Sequence, residues 1–159
     1  MENETINWKD FHHQIYQIYH GIIALTLVPF ALLFLEWDTS SIDERMDNLL
    51  FILSILLVCL VAYASWYVWR GAKVQYRLGE KMELIDKLRE FKRVNTKKYL
   101  ILGVAGITMA GAMWLAPSFI LVIAYFSILV QYSFLRPSED KFVRDMRLTK
   151  ADRQKLHEK

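Results

Sequence analysis

The chain alternates between long runs without charge and short blocks dense in it. Four runs, residues 15–35, 49–69, 99–116 and 118–135, contain no Asp, Glu, Lys or Arg. About 20 apolar residues at helical rise cover the hydrocarbon core of a bilayer, so each run is a candidate membrane span. A helix of a soluble core would show a polar face at every turn, and these runs do not. The pattern predicts an all-α membrane protein built as a four-transmembrane-helix bundle. The third and fourth runs are joined only by Ala116–Pro117–Ser118, and Pro117 suits the first turn of a new helix, where its missing N–H costs nothing.

Between the runs the pattern becomes amphipathic. Residues 72–94 read as a helical continuation of the second span. Leu78, Met82 and Ile85 lie on one stripe, and Leu84, Leu88 and Phe91 on the next. Glu83 and Lys87 stand four apart with the favourable polarity for an ion pair. Asn95 or Thr96 would cap the start of the third span, and Lys97 and Lys98 would snorkel to headgroups. In the tail, Ser138 ahead of Glu139 and Asp140 is a helix start, and Thr149 with Asp152 three residues later resembles a capping box. Phe142, Val143, Met146 and Leu148 give that tail an apolar side.

Charge orients the bundle. Residues 36–48 hold five acids against one Arg, residues 70–98 ten bases against four acids, and residues 136–159 eight bases against five acids. An excess of Lys and Arg marks the cytoplasmic side, which places both termini in the cytoplasm and the acidic loop outside. The domains expected are a cytoplasmic segment 1–14, a four-span membrane domain 15–135 with the cytoplasmic loop 70–98 inside it, and a basic cytoplasmic tail 136–159. The acidic, polar start lacks the basic region of a secretory signal, so the first span is expected to be retained. The membrane expected is the bacterial inner membrane. A net charge of +3 spread beside spans points to lipid headgroups rather than nucleic acid. Cys59, the single cysteine, excludes an intramolecular disulfide.

Candidate chemistry gathers where the first span begins, in FHHQIYQIYHG, residues 11–21. On a helix, Ile15, Ile18 and Ile22 form an apolar stripe. His13, Gln17 and His20 form a polar one, with His12, Tyr16 and Tyr19 beside it. Tyr63 and Tyr67 of the second span and Gln131 and Tyr132 of the fourth fall at the same depth, so a pocket open to the cytoplasm is expected there. Its ligand would be a lipid, a quinone or another small molecule bonded through His and Tyr. Alternatively these groups form an interfacial aromatic belt whose polar members satisfy one another. A haem b or metal would have to use His13 or His20 singly, or one histidine from each of two subunits. The two lie about 10.5 Å apart along a helix, too far to share one ion.

Gly103, Gly106 and Ala110 make a small-residue face for close helix packing, within the last hairpin or between subunits. No charge lies within a span, and no Gly-rich phosphate loop, HExxH, CxxC or GxSxG occurs. The function expected is therefore a non-catalytic accessory or scaffold protein, a homo-oligomer or small subunit of a membrane complex. It would dock a partner or lipid through Lys87, Arg89, Lys92 and Arg93. A haem- or quinone-binding redox subunit and a homo-oligomeric pore are the alternatives.

Overall fold

The computed structural model describes residues 8–37, 48–78, 82–115 and 117–157. Every regular element among them is a helix: α1 (Trp8–Glu36), α2 (Asn48–Leu78), α3 (Leu84–Leu115), α4 (Phe119–Leu135), α5 (Glu139–Asp145) and α6 (Lys150–His157). α1 and α3 are each long and apolar enough to cross a membrane, and α4 adds a third span if it is taken together with α5, which leaves it at 83°. The apolar part of α2, Ile55–Gly71, is shorter. The acidic loop falls mostly at residues 38–47, outside the described residues.

Specific contacts show the helices alternating in direction. Ile22 meets Gly103 and Thr26 meets Gly106, so α1 and α3 run the same way. The Tyr125 hydroxyl reaches Thr26 at 3.3 Å, whereas Tyr19 reaches Tyr132 at 2.8 Å, so α4 runs against α1. Gln131 of α4 bonds Ser65 of α2, and Lys98 of α3 bonds Gln75 near the end of α2. The start of α1, the ends of α2 and α4 and the tail therefore share one end of the bundle.

The segment expected to continue α2 belongs to two helices. α2 stops at Leu78, and α3 starts at Leu84 and runs unbroken into the third apolar run. Gly79, a poor helix former, stands between them in the sequence. The break cuts the first stripe, leaving Leu78 in α2 and Ile85 in α3, while the second lies wholly in α3. Leu88 and Phe91 are buried in the core, and Ile85 is exposed. Asn95 and Thr96 cap nothing, because they lie inside α3, where the Asn95 amide donates to the Phe91 carbonyl at 2.9 Å. Glu83 precedes the helix and contributes only its carbonyl to the Lys87 N–H, so the expected side-chain pair does not form.

At the hairpin, Pro117 sits one position before the cap rather than inside α4. Ser118 is the N-cap, and its Oγ accepts from the Leu121 N–H. Ser138 caps α5 in the same way. Thr149 and Asp152 form the capping box that opens α6, each side chain accepting from the other's backbone N–H at 3.2 and 3.1 Å. α5 closes with Arg147 in the left-handed region, φ 48°, and the Leu148 N–H returning to the Val143 carbonyl. That is a Schellman ending with arginine where glycine is usual. The Arg147 guanidinium lies 3.9 Å from the Tyr76 ring centre, a contact that offsets the strain and ties the tail to α2.

The tail is folded onto the bundle. Phe142 is fully buried, with its ring edge-on to Phe91 at 4.9 Å and near Phe11 at 6.3 Å. One ring each from α1, α3 and α5 thus closes the end of the bundle, each burial being worth about 2–3 kcal/mol.

Candidate functional site

The polar groups expected to converge in one pocket divide between two faces. His13, Gln17 and His20 are exposed on the outer side of α1, with Gln17 donating its amide to His13 at 2.9 Å. His20 lies against the rings of Tyr16 and Tyr19, at 4.1 and 5.0 Å between centres. Tyr63 is exposed beside Trp66, and Tyr67 is partly buried. Among the described residues, none of His13, Gln17, His20, Tyr63 and Tyr67 shares a hydrogen bond or ring contact with Gln131 or Tyr132. Helix geometry explains the division: Ile15 is buried and so directs its own face of α1 inward, which turns the histidine stripe out. Among the described residues no three His, Cys, Asp or Glu side chains come together to hold a metal ion.

What lies inside is a tyrosine knot. Tyr19, Tyr99 and Tyr132 are buried with edge-on rings, Tyr19 lying 5.3 Å from Tyr99 and 6.1 Å from Tyr132. Tyr19 donates to the Tyr132 carbonyl, Tyr132 to the Tyr99 carbonyl at 3.1 Å, and Tyr99 to the Leu135 carbonyl at 3.1 Å. Lys141 donates its Nζ to the Phe134 carbonyl at 3.0 Å. The last turn of α4 would otherwise leave the Tyr132, Phe134 and Leu135 carbonyls orphaned, and side chains from α1, α3 and α5 complete it. Tyr19 and Tyr99 carry this role beside Tyr132. Their signal in the sequence, a tyrosine near the same end of an apolar run, is the same as that of a belt. Tyr19→Phe should lower stability in detergent by about 1–2 kcal/mol, the cost of leaving a buried carbonyl without its donor. Chemical denaturation followed by circular dichroism would measure it.

On the other side of α4 a cleft of about 590 Å³ opens between α2, α4 and α5. Ser65 and Gln131 lie on its wall, joined by a 2.7 Å bond from the Gln131 amide. One end is apolar, with Phe126 and Val130 among its walls. The other carries Lys98, Lys141, Arg144 and Asp145. Lys98 does not snorkel as expected. It is 1 % exposed, its stem passing Gly71 where a Cβ would stand 3.0 Å from Cε, and its Nζ donates to Gln75 at 2.6 Å. Burial pushes the Lys141 ammonium down to about 8, against the pull of Asp145 and with the push of Arg144. Lys141 therefore penalises the fold while charged, and stability should rise with pH from about 8 towards 10.5, where the unfolded chain also loses the proton.

The basic residues of α3 also separate. Lys87 is buried and paired with Asp152 at 2.9 Å, so it belongs to the interior rather than to an open docking surface. Lys92 donates to Gln14, while Arg89 and Arg93 are exposed and make only loose pairs with Asp86 and Glu90. Gly103, Gly106 and Ala110 are buried; the two glycines lie against Ile22 and Thr26 of α1, and Gly103 also faces the Tyr132 hydroxyl of the hairpin partner α4. No known family model, curated protein or solved structure matches the chain.

Proposed function

We propose that this is a non-catalytic integral membrane protein of four spans, a scaffold or accessory subunit with both termini in the cytoplasm. The observation that carries the reading is the outward surface of the four long helices. Leu25 and Leu32 of α1, Ile55 of α2, Val104 of α3 and Ile123 and Phe126 of α4 are all exposed large apolar side chains. In water such a belt would be an aggregation surface, and in a bilayer it is the lipid contact. Trp66 and Trp69 lie under Arg70 and Lys73, at 5.1 and 3.6 Å from ring centre to cation, as aromatic and basic anchors do at a headgroup boundary. That boundary is at the end of the bundle where the basic segments and the folded tail are, which the positive-inside rule assigns to the cytoplasm.

The membrane domain 15–135 would hold the cap formed by the start of α3 with α5 and α6, and the cap would offer Arg89 and Arg93 to an acidic partner or a second copy of the chain. In a Cys59→Ala background, a membrane-impermeant maleimide on intact cells should label Ser40→Cys and spare Arg93→Cys. Labelling of Arg93→Cys in sealed cells would overturn the orientation. Arg89→Glu with Arg93→Glu should weaken cross-linking to neighbours in the membrane severalfold while leaving insertion intact, and unchanged cross-linking would remove the docking surface.

A further inference from the structure

We infer that the cleft between α2, α4 and α5 is a binding site for one anionic phospholipid of the cytoplasmic leaflet, its phosphate held by Lys98 and Lys141 and its acyl chain lying along α4. The inference rests on the membrane reading above.

Charge comes first. Lys98 and Lys141 are 1 % and 8 % exposed, and neither has a carboxylate within ion-pair distance among the described residues. Their ammonium groups are held by neutral oxygens, those of the Gln75 amide and the Phe134 carbonyl. The one acid of the cleft, Asp145, is 3.4 Å from Arg144. Three cations thus stand against one carboxylate. Buried charge without a counter-ion is costly, so an anion entering from outside gains what the fold itself does not supply. A phosphate can take several such donors at once.

Shape names the rest of the ligand. A free phosphate would need only the polar end, but the cleft continues past Gln131 along Val130 and Phe126. Trp69 and Phe126 are 59 % and 65 % exposed at the lipid-facing edge. Gln131 and Ser65 lie on the wall, where ester oxygens of a glycerol backbone would pass. Headgroup, glycerol and chain thus have matching surroundings in the order in which a bilayer presents them. The cation pair lies at the boundary marked by Trp69 and Lys73.

The test uses the full chain, first shown to stay with membranes through an alkaline carbonate wash; its extraction there would remove the membrane reading itself and the cleft with it. Detergent-purified protein is then equilibrated with equal amounts of phosphatidylglycerol and phosphatidylcholine, and retained lipid is counted by native mass spectrometry. Two lysines should favour phosphatidylglycerol roughly thirtyfold, about fivefold for each charge. Lys98→Met with Lys141→Met should bring the two lipids near parity, and arginine at both positions should restore the preference. Val130→Trp, which fills the apolar slot and leaves the cations alone, should also lose the retained lipid, and it decides the matter if the double methionine variant fails to fold. Equal retention of both lipids by the wild-type protein would overturn the site, as would an unchanged preference in folded lysine variants. Displacement of phosphatidylglycerol by an equal concentration of soluble glycerol phosphate would show a site for the free ester, and the lipid assignment would fall.

Discussion

Gly103→Leu is expected to separate α1 from α3 and to unfold the bundle at its centre. A Cβ at this position would stand 2.7 Å from Cγ2 of Ile22, closer than real Cβ contacts come. Ile22 has little room to yield, because its β-branched side chain is confined at χ1. The Tyr132 hydroxyl is 3.6 Å from the same point, so the displaced chain would also press on the tyrosine knot. Even Gly103→Ala should cost about 1–3 kcal/mol as overpacking, and leucine adds three more heavy atoms in the same space. Gly106 is less demanding, since its Cβ would meet Thr26 at 3.0 Å and a small shift accommodates it. Gly111, with open space around it, is the control and should tolerate alanine unchanged. Thermal unfolding in detergent should therefore rank the alanine variants 103, 106, 111 from most to least damaging. Equal unfolding temperatures for all three would mean that α1 and α3 are not in close contact.

The small-residue face was legible in the sequence as a packing surface, but its partner was not. Glycines at such spacing say that a backbone comes near; they do not say whose. The partner is decided by Ile22 and Thr26, whose side chains look like ordinary lipid-facing positions of an apolar span. The same limit applies to helix boundaries. Capping residues were readable at Ser138 and Thr149, because a polar side chain ahead of a helix has one chemical use. They misled at Asn95, which follows a full amphipathic pattern and could open a new helix, yet bonds its own i−4 carbonyl inside a continuous one.

The candidate site was legible in its residue types and not in its convergence. The first, second and fourth apolar runs each carry polar side chains near one end, which the sequence pattern shows. Which of them face one another depends on rotation about each helix axis, and in α1 that rotation is fixed by the burial of Phe11, Ile15 and Tyr19. Tyr19 therefore enters the core and the three histidines do not. Lys98, expected at the headgroups, and Lys141, which has no signal of its own, are turned inward for a different reason. Lysines beside spans usually reach headgroups, and only the packing of Gly71 against the Lys98 stem and of α5 across α4 turns these two inward.

Asp152→Asn is expected to release α6 and loosen the cap, because it leaves the Lys87 ammonium buried without its counter-ion. Lys87 is 5 % exposed in its side chain and Asp152 18 %, so the pair is half-way between a surface bridge and a buried one. Breaking a buried pair from one side costs about 3–5 kcal/mol, and the partial exposure of Asp152 brings the expectation to about 2–3 kcal/mol. The carboxylate also accepts from the Thr149 N–H, so the substitution weakens the capping box as well. Lys87→Met with Asp152→Asn should recover much of the loss, since an apolar stem then fills the space beside Leu88 with no charge to satisfy. Burial alone would raise the Asp152 carboxyl, but its hydrogen bonds from Lys87 and Thr149 outweigh that and hold it below the ordinary carboxylate range. A carboxyl lowered on folding stabilises above its unfolded value, near 3.8, and that contribution disappears as the pH falls through the folded one. Acid should thus undock α6 in the wild-type protein, whereas Asp152→Asn should show no such step. Hydrogen exchange along residues 150–154 between pH 6 and pH 3 would follow the release directly, and protection there that is equal in wild type and variant at both pH values would remove Asp152 as the tether.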